Sequence, residues 1–381
     1  MSRTVYLDNA ASTMPSPAVL QEWSRVSMDD CVNPSSPHRL SYELQRQLTT
    51  AAAGLATLVT GRDDTGVQVI WTSGGTEANN LAVLGFAGAR SGPLRIVSTR
   101  TEHASVLAPL EQLQGQGAKL QLADVHGSGH LDLDHLAACL DGGADLVSIC
   151  HVQNETGAIQ DLTAVRELID RHAPGACLQV DAMQSFGKSD INWQAARIDM
   201  LSLSGHKIHG PGGQGALIVR DGVELRPILF GGGQQDNLRS GSLDGVGIRL
   251  LCLAASQIIA TRPQAQARVA DLNKRLRSGL EELTAAVRFI SSEDGSPYIL
   301  SFTLPGYQGA VLARMLTERG IHIGTGSACA AESKTPSRVL TAMGLTSDEA
   351  YGALRVSFCP ENSETDVDDL LDALTAVLAE Y

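Results

Sequence analysis

From residue 67 onward the chain alternates short apolar runs with stretches of helical length. The runs are V-Q-V-I-W (67–71), L-R-I-V-S-T (94–99), A-K-L-Q-L-A (118–123), D-L-V-S-I-C-H (145–151), C-L-Q-V-D (177–181), D-M-L-S-L-S (199–204) and G-A-L-I-V-R (215–220). Strands separated in this way predict an α/β fold, a mostly parallel sheet covered by helices on both faces. Upstream, T-V-Y-L-D-N reads as a short extended piece ending in a polar turn at Asp8 and Asn9. Pro15 and Pro17 then introduce a helix from about residue 18, and a second helix covers 41–58 and ends near Gly61. Between them, V-N-P-S-S-P-H is rich in turn formers and reads as a loop, with Asn33 biased to extended backbone by the proline after it. Past Gly247 a helical pattern carrying Ile248, Leu251, Ile258, Leu272, Leu276 and Leu280 runs to about 286 and reads as a connection to a second domain. The tail has strand-like runs at 287–291, 298–304 and 353–358 and a helix at 309–319, a smaller α+β unit.

Composition narrows the function. With 381 residues, 43% of them hydrophobic, the chain can bury a sizeable core in two domains. A formal charge of -13, from 42 acidic against 29 basic residues, argues against direct binding of nucleic acid or of an anionic membrane. No run reaches the roughly 18 consecutive apolar residues of a membrane span, and the start M-S-R-T-V-Y-L lacks the regions of a signal peptide. A cytoplasmic protein acting on a small molecule, or with a protein partner, is the expectation. The 7 cysteines are odd in number and include no C-x-x-C, so neither a disulfide framework nor a zinc site is indicated. Cys139, Cys150, Cys177 and Cys252 sit in apolar surroundings and read as small buried hydrophobes.

The candidate chemistry lies just after the strands, where ligands bind in open α/β sheets. In S-L-S-G-H-K-I-H-G-P-G-G-Q-G (202–215) a single lysine, Lys207, stands between His206 and His209. It is either a solvated turn residue or an amine activated for carbonyl chemistry by desolvation. Asp181 ends the run before it, and a carboxylate followed by such a lysine is the pairing that pyridoxal phosphate requires: the acid keeps the pyridine nitrogen protonated and the amine holds the aldehyde. T-S-G-G-T-E-A-N-N (72–80) places Gly75 and Thr76 at a helix start, which is either an anion cradle or a plain N-cap with a glycine turn. His103 follows the second of these runs (94–99) and is either structural or poised to stack on a flat ring and move protons. Asn154 reads as a hydrogen-bond donor to a ring oxygen or a substrate carboxylate. The loop 231–245 carries three glycines and then R-S-G-S (239–242), either a mobile loop or the completion of a phosphate site, including that of a neighbouring subunit. Cys329, in G-T-G-S-A-C-A-A-E-S, sits in loop composition and is either an incidental surface cysteine or a working thiol, since a thiolate needs exposure to act. Arg355, isolated in a strand-like run, suits capture of a carboxylate.

These motifs, in this order, resemble the cysteine desulfurases, within the fold type I pyridoxal phosphate enzymes that include the class V aminotransferases. The resemblance runs from Y-L-D-N-A-A-S-T (6–13) through N-P-S-S-P-H, T-S-G-G-T-E-A-N-N, T-E-H-A-S-V, Q-N-E-T-G, V-D-A-M-Q-S-F-G-K and S-G-H-K to G-S-A-C and L-R-V-S-F. It implies a large domain (17–257) with a mostly parallel seven-stranded sheet, and a small α+β domain (1–16 with 258–381) carrying the cysteine. It implies pyridoxal 5'-phosphate held by Gly75, Thr76, Ser204, His206 and, from a partner subunit, Ser242. Asp181 would pair with the pyridine nitrogen, Gln184 and Asn154 would lie near the ring oxygen, and His103 would stack on the ring. Lys207 would hold the aldehyde and move the substrate α-proton, Asn33 and Arg355 would receive the carboxylate of L-cysteine, and Cys329 would attack its sulfur. A homodimer and a sulfur-acceptor protein are expected, with iron-sulfur clusters or nucleic-acid thiolation as destinations. Selenocysteine or cystine lyases of the same fold, and a nucleotide-binding module, are the competing readings. The chain departs from the family pattern at Q-Q-D-N-L-R-S-G-S (234–242) and at F-C-P-E-N (358–362), and the resemblance gives Cys359 no role.

Overall fold

The computed structural model describes residues 3–29, 32–63, 66–284, 286–326 and 336–381. Twelve strands lie among the described residues. The first, β1 (Val5–Leu7), is followed by β2 (Val67–Thr72), β3 (Arg95–Thr99), β4 (Lys119–Ala123), β5 (Leu146–Cys150), β6 (Cys177–Asp181), β7 (Met200–Ser204) and β8 (Gly215–Arg220). The tail adds β9 (Arg288–Phe289), β10 (Ile299–Thr303), β11 (Ile321–Thr325) and β12 (Ala353–Ser357). All seven apolar runs became strands of one seven-stranded sheet, in the order β2-β8-β7-β6-β5-β3-β4. Pairing is parallel except that β8 runs against both its neighbours.

The continuous apolar character of these strands has a direct cause. Side chains alternate across a strand, and here each face feeds a separate core. Val97, Leu178, Val180, Leu201, Leu203, Ala216 and Ile218 enter one cluster, while their neighbours Ile96, Cys177, Met200, Leu217 and Val219 enter the other. Every residue of β5, β6 and β7 is therefore buried.

The second sheet has five strands in the order β1-β11-β12-β10-β9, so the extended N-terminal piece is a parallel strand against β11. Its core, with Val5, Leu7, Phe302, Leu354 and Val367, is separate from the other two. The helix Gly245–Leu283 belongs to both lobes: Ile248, Leu251 and Ile258 pack in the first, Val269, Leu272, Leu276 and Leu280 in the second. By length and composition this helix could cross a membrane, yet its apolar positions are divided between two protein cores. The helices expected at about 18, 41–58 and 309–319 are Pro17–Asp29, Arg39–Thr60 and Gly309–Glu318. The strand β11 was not anticipated, because I-H-I-G-T-G alternates polar with apolar residues and is punctuated by glycine.

Candidate active site

The carboxyl ends of β2, β3, β5, β6 and β7 and the start of antiparallel β8 share one edge, fixed by the registers Thr72–Gly215, Ser204–Gly215 and Cys150–Asp181. A cavity of about 210 Å³ opens there. Gly75, Thr76, His103, Asn154, Asp181, Gln184, Ser204, His206 and Lys207 all line it, along with Ser105, Cys150, Val152 and Met183. Nine predicted site residues from five separate segments thus converge on one wall.

At one end of this lining, the helix Gly75–Asn80 starts after Gly74, whose φ of 143° is closed to other residues. A Cβ on Gly215 would come within 2.7 Å of the Gly74 Cα, so this turn lies directly against β8. The Ser204 hydroxyl is 2.9 Å from His206 Nδ1. Burial pushes His206 down to about 4, with Lys207 and Lys188 adding to the effect, so the ring is neutral at physiological pH. Behind the turn, burial raises the Glu77 carboxyl, but the two hydrogen bonds from Arg239 at 2.7 and 3.1 Å and one from the Ser73 N–H outweigh it and hold the group below its usual range.

At the other end Asp181 is 2% exposed. Its Oδ1 accepts from the Met183 N–H at 2.9 Å and its Oδ2 from Asn79 Nδ2 at 2.8 Å. Asn79 is fixed in turn: its amide also donates to Ser105 Oγ at 2.9 Å, and its oxygen accepts from Ser202 Oγ and Gln179 Nε2. His103 caps the helix Ala104–Gly115 through Nδ1, which accepts from the Ser105 N–H. Burial lowers its pKa, against the pull of Asp181. Lys207 Nζ donates to the carbonyls of Ala10 and Ala11 at 2.6 and 2.7 Å, and Gln184 Nε2 donates to that same Ala10 carbonyl at 2.8 Å. The amine is therefore held in place by backbone that sequence reasoning had not connected with it.

Three predicted residues stand elsewhere. Asn33 is exposed and off the cavity wall, its Oδ1 accepting from the Ser35 N–H at 2.9 Å in a local turn. Ser242 is exposed and also off the wall. Arg355 is not isolated as expected: at 2% exposure it donates to Asp8 Oδ1 at 2.7 Å and to the Asn154 carbonyl at 3.0 Å, while its buried Nε has no partner. An arginine in a buried strand needs a carboxylate nearby, and Asp8 supplies it. Cys329 lies outside the described residues.

Asn79, Ser105 and Glu102 were not singled out in the sequence, and Glu155, noticed beside Asn154, had no role assigned. Glu102 is buried beside His103, where burial pushes its carboxyl up to about 8 against hydrogen bonds from the Cys150 N–H and Thr99 Oγ1. Glu155, next to Asn154, accepts from Ser337 Oγ at 2.6 Å, and Arg338 donates to the Glu102 carbonyl at 3.0 Å. These two contacts pin the helix Arg338–Ala342 against the segments carrying Asn154 and His103.

The wall suits pyridoxal 5'-phosphate. A turn that only glycine can make, a helix start, two hydroxyls and an imidazole form an anion cradle. On the same cavity wall, a buried carboxylate with both oxygens already held has its remaining lone pairs for a protonated ring nitrogen, and a half-buried amine lines the cavity with it.

A family model for aminotransferase class V matches residues 5–370, and the chain belongs to that family. Within it, the cysteine desulfurase of Gluconacetobacter diazotrophicus is 35% identical over 377 residues, 98% of this chain and 93% of that protein. Among solved structures, a NifS-like protein superposes with a TM-score of 0.92 at 30% identity, covering 100% of both chains. SspA in complex with cysteine gives a TM-score of 0.80 at 30% identity over 94% of this chain and 100% of its own. The resemblance to cysteine desulfurases and the fold type I architecture read from the motifs are both upheld.

Proposed function

We propose that this chain is a pyridoxal phosphate-dependent cysteine desulfurase, converting L-cysteine to L-alanine while the sulfur passes to Cys329 as a persulfide and on to an acceptor protein. The observation that carries the reading is the convergence of Lys207, Asp181, His103 and the Gly75–Thr76 turn on one cavity, in a chain similar throughout its length to desulfurases. When bound, the cofactor supplies an electron sink conjugated to the substrate α-carbon. Lys207 would hold it, Asp181 would keep its ring nitrogen protonated, and Gly75, Thr76, Ser204 and His206 would hold its phosphate. His103 would face the ring, and Gln184 and Asn154 would serve the ring oxygen.

The chain's own groups then divide the work. Lys207 Nζ takes the proton from the substrate α-carbon. The thiolate of Cys329 forms a bond to the substrate sulfur as the carbon–sulfur bond breaks, and protonation of the remaining three-carbon unit gives alanine. Cysteine and enzyme thiol become alanine and enzyme persulfide, with atoms and electrons conserved. Arg355 and Asn33 receive the substrate carboxylate; neither lines the cavity as it stands, so both have to approach it. Ser242 serves the phosphate of a second subunit in a homodimer, and the exposed Leu229 and Phe230 on the same stretch support a subunit contact there. The large domain (17–257) and the small domain (1–16 with 258–381) follow the two-lobe division of the cores, and a cytoplasmic location belongs to the same reading.

The test is to incubate the purified protein with L-cysteine and measure alanine together with protein-bound persulfide. Cys329→Ala retains the cofactor absorbance and makes neither product. Pyruvate in place of alanine, or activity on cystine or selenocysteine alone, overturns the assignment.

A further inference from the structure

One cluster of chemically capable side chains lies outside the cavity already described. His209 follows the turn Gly205–Lys207 after β7, and Cys359 and Glu361 follow β12, so the cluster joins the two sheets. A His209 nitrogen, the Cys359 sulfur and a Glu361 carboxylate oxygen all lie within 4.8 Å of one another, and His209 Nε2 is 3.7 Å from Glu361 Oε2. The Nδ1 of His209 is 3.0 Å from the Met14 carbonyl. A carbonyl only accepts, so Nδ1 carries the proton and Nε2 presents a lone pair to the cluster. That is the arrangement by which a backbone carbonyl orients a metal-binding imidazole.

The backbone reinforces it. His209 has φ 62°, in the left-handed region that a non-glycine residue occupies only when its surroundings hold it there. Here its N–H donates to Thr13 Oγ1 at 2.7 Å and its carbonyl accepts from the Ser16 N–H at 2.9 Å. An adjoining cavity of about 500 Å³, whose wall includes His209, Arg268, Pro360 and Glu361, gives access and room for a further ligand.

We propose that His209, Cys359 and Glu361 form a three-ligand site for a borderline-soft divalent cation, Zn²⁺ foremost, with water from the adjoining cavity in the fourth position. Imidazole nitrogen, thiolate sulfur and carboxylate oxygen are the donor types zinc takes together, whereas Mg²⁺ and Ca²⁺ call for oxygen throughout. Binding involves no redox change: the Cys359 sulfur–hydrogen bond gives way to a sulfur–metal bond and the proton leaves to solvent. Because binding replaces the thiol proton, the affinity falls as the pH is lowered. The other titratable groups that feel the thiol are Tyr6, Lys188 and Tyr298. Occupancy would fasten the segment just beyond Lys207 to the segment just beyond Arg355, across the two lobes. No spacing motif announced this site, because its ligands come from segments far apart in the chain.

The experiment is a titration of the chelator-treated holoprotein with CoCl₂, read by absorption. One equivalent of Co²⁺ is expected to give a thiolate-to-cobalt charge-transfer band with the visible bands of a four-coordinate ion, and Zn²⁺ is expected to displace it one for one. Cys359→Ser removes the charge-transfer band, and His209→Gln weakens binding at least about tenfold. Glu361→Gln, at an exposed position where folding is not at stake, also weakens binding while keeping the band. Cys329→Ser leaves the titration unchanged. Absence of the band from the native chain, its loss in Cys329→Ser with retention in Cys359→Ser, or equal affinity of Glu361→Gln and the native chain each overturns the proposal. None of these readouts depends on the desulfurase assignment.

Discussion

Replacing Glu155 by glutamine should make the protein more stable at neutral and alkaline pH, and by an amount that the structure sets. Glu155 is 7% exposed. Burial pushes its carboxyl from 4.5 up to about 7, against the hydrogen bond from Ser337 and the positive charges of Arg355 and Arg338. In the unfolded chain the proton leaves near pH 4.5; in the folded chain it stays until about 7. A group raised in this direction contributes stability that is complete below the lower value, drains away between the two, and is gone above the higher. The whole effect amounts to about 3 kcal/mol, at 1.36 kcal/mol for each tenfold change in proton affinity. Glutamine keeps the shape and stays neutral at every pH, so it escapes this loss. The assay is urea denaturation of the holoprotein at steps between pH 4.5 and 8.5 for both chains, taking the difference so that titrations common to both cancel. The variant should gain about 3 kcal/mol relative to the native chain across that window. A difference that does not change with pH, or one in which the native chain gains as pH rises, refutes the account of a buried carboxyl anchoring the helix Arg338–Ala342.

Three further outcomes follow from the same geometry. Lys207→Ala should lower alanine formation by at least about 10²–10⁴-fold, the range for losing a positioned proton carrier, and should abolish the lysine-bound cofactor absorbance; a spectrum like that of the native protein would count against Lys207. Arg355→Leu should destabilise the fold by about 3 kcal/mol, since it leaves Asp8 without the cation it faces at 2.7 Å, and a drop of less than about 0.5 kcal/mol in urea would mean the pair is dispensable. Gly215→Ala should cost about 1–3 kcal/mol and speed the loss of pyridoxal phosphate on dialysis, because its methyl group would displace the Gly74 backbone from 2.7 Å away.

What was legible in the sequence had a local signature. β5, β6 and β7 could be read because every residue in them is buried, which leaves an uninterrupted apolar run. Asp181 and Lys207 stood out because a charge directly after such a run has to sit at the sheet edge. What could not be read depends on groups that leave no mark on composition. The carbonyls of Ala10 and Ala11 hold Lys207, but every residue has a carbonyl. Asn79 grips Asp181 from 102 positions away, and the Asp8 partner of Arg355 is 347 positions distant. The Asn33 loop was placed correctly as a loop, yet local turn residues do not say how far it stands from the cavity.

The N-terminal strand has one last consequence, for the order of events during synthesis. β1 leaves the ribosome more than 300 residues ahead of its partner β11 and of the Ser357 carbonyl that accepts from Asn9. Until these emerge, the backbone that clasps the Lys207 amine is held only from the other side, by Gln184, His206 and His209. The clasp is thereby complete only once β11 and β12 have been made and have paired with the segment that opens the fold.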